Sequence, residues 1–181
     1  MRTFIAIEFS EKLKEYLDSL SKKIATYSKT GNFTKKENYH LTLRFIGETD
    51  KSDIELLCCA IQETSMRNKG FELPLNKLGE FKRNGKSIVW AGVSDEKKEL
   101  SRLFASLEKS LEAEGFPREK KGLNPHITLG REVSLIKEPA FFEEYLKDAA
   151  LIPFKEISLM ESVRTGQGLV YRRLFSEVLK K

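Results

Sequence analysis

The chain holds two histidines, and each opens the same phrase: His40-Leu41-Thr42-Leu43 and His126-Ile127-Thr128-Leu129. A short motif met once is weak evidence, but the same motif around every histidine of a chain is far more specific. In a strand, side chains alternate between faces, so His40 and Thr42 share one face while Leu41 and Leu43 anchor the other. His126 and Thr128 stand in the same relation to Ile127 and Leu129. Each motif then presents an imidazole and a hydroxyl about 7 Å apart along a rigid strand.

Two such strands opposed across a cleft suit displacement at phosphorus. Histidines that titrate near neutrality can supply one general base and one general acid. Two threonine hydroxyls can donate hydrogen bonds to the non-bridging phosphate oxygens. In-line attack needs base and acid on opposite sides of the phosphorus, which opposed strands provide. A single histidine in a strand is as readily a core or surface residue, and only the repetition favours catalysis. A two-histidine metal site lacks carboxylate or thiolate ligands at suitable spacing, so no metal and no cofactor are expected.

The elements that must position these residues are legible from periodicity. Arg2 to Phe9 reads as a strand, and Ser10 caps a helix to about Tyr27 with Leu13, Leu17, Leu20 and Ile24 on one face. Gly31-Asn32 ends that helix, and Asn32 to Thr34 is expected as a short strand. His40 to Ile46 is a strand ended by Gly47. Ser52 to Glu55 fits a capping box for a helix that buries Ile54, Leu57, Cys58 and Ile61. Alternation at Phe71, Leu73, Leu75 and at Val89, Ala91, Val93 predicts strands around a turn at Arg83-Asn84-Gly85. A helix is expected from Asp95 to Glu114, stopped by Gly115. The basic loop Pro117 to Asn124 leads into the second motif strand, His126 to Arg131. A short helix from Pro139 to Asp148 follows. Strands at Ile152 to Arg164 and Gly168 to Val178 join across Thr165-Gly166-Gln167, where a hairpin turn explains the Gly-x-Gly better than a phosphate loop. The motifs lie almost half the chain apart, each after a Lys-Lys pair (Lys35-Lys36 and Lys120-Lys121). That spacing predicts an α+β fold with one motif per lobe, in a single two-lobed domain over residues 1–181.

Composition sets wider bounds. At 181 residues with 33% charged and 40% hydrophobic side chains, the chain can bury a core without staples. A formal charge of +5 permits an anionic partner without demanding one. Cys58 and Cys59 are adjacent and offer no disulfide framework. No signal-peptide layout or membrane-length apolar run is evident. A cytoplasmic monomer without membrane contacts is expected.

The segments His40-Leu41-Thr42-Leu43-Arg44-Phe45-Ile46-Gly47-Glu48 and Pro125-His126-Ile127-Thr128-Leu129-Gly130-Arg131 resemble the two signatures of the two-histidine phosphoesterase superfamily. The opening Arg2-Thr3-Phe4-Ile5-Ala6-Ile7 and the segment Val89-Trp90-Ala91-Gly92-Val93 resemble its RNA 2′,3′-cyclic phosphodiesterase branch, also called 2′-5′ RNA ligase. The resemblance implies a bilobal α+β fold, in which two antiparallel sheets with outer helices form a V-shaped cleft between pseudo-two-fold duplicated halves. It also implies metal-independent hydrolysis of 2′,3′-cyclic phosphate ends of RNA to a 2′-phosphate, with reversible 2′-5′ ligation in some members. By that resemblance His40, His126, Thr42 and Thr128 are the catalytic set. His126 is then the base that activates water and His40 the acid that protonates the departing 3′ oxygen. The residues themselves leave that order open.

The resemblance further suggests Phe45 as a base-stacking ring and Arg131 as a phosphate or ribose contact. Strict alternation puts both opposite the histidines, so each strand is expected to bend or bulge. Arg44 shares parity with His40 and can reach phosphate, or can sit as a solvated strand-end charge. Tyr39 and Tyr171 are expected to be packing residues. Two other activities fit the same residues: a phosphoesterase for an ADP-ribose cyclic phosphate or 2′-5′ oligonucleotides, and a non-catalytic RNA-binding module.

Overall fold

A computed structural model describes residues 1–146, 151–166 and 168–181. Along the chain run β1 (Arg2–Glu8), α1 (Glu11–Thr26), β2 (Ser28–Phe33) and β3 (His40–Glu48), then α2 (Lys51–Arg67), β4 (Phe71–Arg83) and β5 (Lys86–Val93). They continue as α3 (Glu99–Ala113), β6 (Ile127–Leu135), β7 (Leu151–Phe154), β8 (Glu156–Thr165) and β9 (Gly168–Val178). Single 3₁₀ segments cover Lys36–Asn38 and Pro139–Leu146.

The strands form two antiparallel sheets, in the orders β3-β1-β8-β9 and β2-β6-β5-β4-β7. The fold is α+β, and each histidine motif lies in its own sheet. The lobes are interleaved rather than sequential, since β2 from the first half crosses to the second sheet and the C-terminal hairpin β8–β9 completes the first. Alternation explains how each sheet buries one face. Ile5 and Ile7 of β1, Leu41 and Leu43 of β3, and Ile127 and Leu129 of β6 join one buried cluster with the helix leucines. Phe4, Ala6 and Met160 point the other way and form a small second cluster with Tyr171 packed on it. That opposite face is the one that lines the cleft. No helix among the described residues is long and apolar enough to cross a membrane.

Element ends differ from the periodicity reading for local polar reasons. Ser10 caps α1 as expected, its hydroxyl accepting from the Leu13 amide at 3.3 Å. Helix α2 starts earlier than Ser52, because Asp50 and Asp53 form the capping box, with reciprocal amide-to-carboxylate bonds of 3.0 Å. Helix α3 starts later than Asp95. The chain turns through Lys98 at φ 56°, and the Asp95 carboxylate accepts from the Leu100 and Ser101 amides at 3.1 and 2.8 Å. The expected strand Ile152 to Arg164 divides at Lys155. Its first part pairs with β4 and its second with β1 and β9, so one apolar run serves two sheets. Of the helix expected over Pro139 to Asp148, Lys147 and Asp148 lie outside the described residues, as does Gln167 of the hairpin turn.

Candidate active site

Strands β3 and β6 approach one another although they belong to different sheets. The cleft between them has a volume of about 500 Å³, and all seven candidate side chains line it: His40, Thr42, Arg44, Phe45, His126, Thr128 and Arg131. Among the described residues, no three His, Cys, Asp or Glu side chains are grouped so as to hold a metal ion.

The two imidazoles are held in the same way. Nδ1 of His40 lies 2.7 Å from the Asn38 carbonyl, and Nδ1 of His126 lies 2.8 Å from the Asn124 carbonyl. A carbonyl can only accept, so Nδ1 carries hydrogen in both rings and Nε2 is left for chemistry. The Asn38 side chain also donates to the Leu169 carbonyl at 2.9 Å, fixing the loop that carries the first of these carbonyls to the β8–β9 hairpin. Nε2 of His40 lies 3.1 Å from Thr42 Oγ1. In the neutral ring that nitrogen accepts the threonine proton, which orients both members of the motif.

Aromatic rings wall each histidine. Phe4 and Tyr171 meet the His40 ring at 5.0 and 4.9 Å, the latter edge-on. Phe81 meets His126 edge-on at 5.3 Å and stacks on Trp90. Burial holds the His40 pKa below the ordinary 6.5, against the favourable bond to Asn38, and the nearby His126 and Arg131 push it further down. A site-resolved NMR titration is therefore expected to place the His40 midpoint below 6.5. Arg131→Ala removes a cation and moves that midpoint upward; a downward shift would contradict this electrostatic account.

Bulges explain how the fifth position after each histidine reaches the cleft. In the β1–β3 ladder Ala6 faces Thr42 but Ile5 faces Arg44, so Leu43 is an extra residue. In the β5–β6 ladder Trp90 faces Thr128 but Val89 faces Gly130, so Leu129 is the extra residue. The bulge falls at the same place in both motifs, three residues after the histidine, and reverses the alternation beyond it. Phe45 thereby faces Phe4 and stacks on it at 5.7 Å, while half its surface remains exposed. Arg131 likewise turns into the cleft.

The same reversal takes Arg44 off the histidine face. Its guanidinium reaches the rim, where it ion-pairs with Glu108 of α3 at 2.9 Å and Glu119 at 3.2 Å, and donates to the Phe45 and Pro117 carbonyls. Glu108 also accepts from the Glu119 amide at 2.7 Å, so the pair anchors the basic loop before β6. Arg44 and Glu108 side chains are only 12% and 6% exposed. Arg44→Ala would strand the Glu108 charge in a nearly dry site. It is expected to cost about 3 kcal/mol of stability, the lower end of what broken buried pairs cost. Denaturant titration would measure this, and pairing the change with Glu108→Leu should recover most of the loss.

The periodicity reading missed several supporting residues. The Asn-x-His spacing of Asn38 and Asn124 was readable as part of the repeat. Tyr171 was expected to be packing alone, yet it lines the cleft against His40. Tyr39 is core, with burial pushing its phenol up to about 12. Of the Lys-Lys pairs, Lys36 is held by Glu11 and Glu15 on α1 at 3.3 and 3.7 Å, on the side of the helix rather than the cleft.

Known proteins are similar to this chain in sequence and in fold. The 2′-5′ RNA ligase superfamily matches residues 10–166. An Aeropyrum pernix protein named RNA 2′,3′-cyclic phosphodiesterase is 34% identical over 146 residues, covering 77% of this chain and 81% of its own. A Thermotoga maritima protein of the same name is 29% identical over 180 residues, covering 97% and 94%. The crystal structure of Escherichia coli LigT complexed with 3′-AMP superposes with a TM-score of 0.78 at 24% identity over 99% of this chain and 98% of that one, a likeness of fold. The chain belongs to the 2′-5′ RNA ligase superfamily.

Proposed function

We propose that this phosphoesterase hydrolyses the 2′,3′-cyclic phosphate end of RNA to a 2′-phosphate, with residues 1–181 working as one two-lobed domain. The observation that carries the reading is the pair of imidazoles lining one cleft, each with Nδ1 tied to a carbonyl and Nε2 left for chemistry. The names of the relatives point to the same substrate.

In the proposed reaction His126 Nε2 takes a proton from water as the oxygen attacks phosphorus, and a new P–O bond forms. The P–O3′ bond breaks on the opposite side, and His40, acting as the imidazolium with hydrogen on both ring nitrogens, delivers its Nε2 proton to the departing 3′ oxygen and is left neutral. The phosphate remains on O2′. The Thr42 and Thr128 hydroxyls and the Arg131 guanidinium hold the non-bridging oxygens as negative charge grows there. Phe45 offers its exposed face to the terminal base. Running the step with a 5′-hydroxyl in place of water gives a 2′-5′ linkage, so weak ligation follows from the same geometry.

The reading is tested by turnover in EDTA of an RNA oligonucleotide ending in a 2′,3′-cyclic phosphate, beside an ADP-ribose cyclic phosphate and a 2′-5′ oligonucleotide. The RNA end should be the best substrate. A higher kcat/KM on either competitor would move the assignment elsewhere in the superfamily. RNA binding that survives both histidine substitutions, with no product formed, would make the protein a binding module.

A further inference from the structure

Beyond the catalytic residues, the first sheet carries two cations on the cleft face. In the β1–β8 ladder Thr3 faces Glu161, which sets Arg2 at the level of Ser162. Arg164 follows two residues along β8, about 7 Å further at strand spacing. All three line the cleft, and both arginines are exposed.

Neither arginine has a carboxylate within 4.0 Å among the described residues, unlike Arg44, Arg67, Arg118 and Arg173, each of which is ion-paired. Glu48, opposite Arg2 in the β1–β3 ladder, contacts the N-terminal amine instead, at 3.7 Å. Arg2 and Arg131 both act electrostatically on the Tyr171 phenol, and Arg131 also acts on His40. His40 faces Glu8 at one end of β1 while Arg2 sits at the other, and Arg164 on β8 lies beyond it, so these cations form a path along the cleft away from the histidines. The stacked rings of Phe4 and Phe45 lie beside this path.

We infer that Arg2 and Arg164, with the Ser162 hydroxyl between them, form a second anion subsite that takes the phosphate on the 5′ oxygen of the terminal nucleoside. This rests on the functional reading above and extends it from the cyclic end to the chain behind it. A terminal base on Phe45 sets its cyclic phosphate between the histidines and its 5′ oxygen towards the cleft mouth, where the next phosphodiester would meet the two guanidinium forks. Planar, unpaired guanidinium groups suit a phosphate better than point charges do. The enzyme should therefore prefer an oligonucleotide end over a mononucleoside cyclic phosphate.

Three substrates separate the possibilities: a nucleoside 2′,3′-cyclic phosphate, a dinucleotide ending in the cyclic phosphate, and that dinucleotide with a neutral methylphosphonate linkage. The wild type should favour the charged dinucleotide over the other two by about 10- to 100-fold in kcat/KM, the span of one charge-assisted contact. The double variant Arg2→Gln/Arg164→Gln should lose that preference and keep its rate on the mononucleoside, which also reports that it is folded. Equal kcat/KM on charged and neutral dinucleotides in the wild type overturns the subsite alone. So does a double variant that keeps the preference, or one that loses activity equally on all three. No wild-type turnover of any of the three overturns the functional reading, and the subsite with it.

Discussion

His40→Ala and His126→Ala should each lower turnover of a 2′,3′-cyclic phosphate by about 10³-fold, within the range expected when a positioned acid or base is removed. The loss should appear mainly in kcat, because both groups act in the transition state rather than in binding. The double variant should be little worse than either single one, since the two rings act on one proton-transfer sequence and their effects do not add. Steady-state kinetics in EDTA measure this, and near-normal rates for either variant would remove that histidine from the mechanism. The His40 variant needs a check on folding, because Phe4 and Tyr171 rest against the ring it removes.

Thr42→Ala and Thr128→Ala should each cost about 10²-fold in kcat, the lower end of what is lost with one preorganised donor to a developing oxyanion. Serine at either position keeps the hydroxyl and should restore most of the rate. The two threonines should differ in one respect. Thr42 also contacts His40 Nε2 at 3.1 Å, so its loss should shift the His40 titration as well as the rate. An alanine variant with unchanged kcat and a raised KM would make that threonine a ground-state contact only.

The candidate catalytic residues stood out in the sequence because strand geometry is simple. Alternation alone places His40 with Thr42 and His126 with Thr128, and sets the intervening apolar residues in the core, where Leu41, Leu43, Ile127 and Leu129 are buried. The bulges could be anticipated only as a requirement. Nothing in Leu43 or Leu129 as residue types marks them as the extra residue, and the bulge appears when β3 is laid against β1 and β6 against β5. Long-range pairing thus decided that Phe45 faces the cleft and that Arg44 turns to Glu108, a carboxylate that α3 brings to within 2.9 Å of it.

Polar support was the least legible layer. The carbonyls that fix both Nδ1 atoms belong to the backbone of Asn38 and Asn124, so the repeated Asn-x-His spacing marks their place in the sequence but not their role. Tyr171 reaches His40 beside the ring of Phe4, although β9 and β3 are opposite edges of the sheet β3-β1-β8-β9, a meeting that no local periodicity encodes. The division of Ile152 to Arg164 between two sheets has the same cause. A run of apolar residues shows that a strand forms, not which neighbours it takes.

If two histidines on opposed strands open a cyclic phosphate by expelling the 3′ oxygen, the phosphate must stay on O2′. Product analysis on an oligoribonucleotide with a 2′,3′-cyclic phosphate end reads this outcome. A terminal 2′-phosphate, formed in EDTA and absent with His40→Ala or His126→Ala, is the predicted result. A terminal 3′-phosphate, or the same product from both histidine variants, would contradict it.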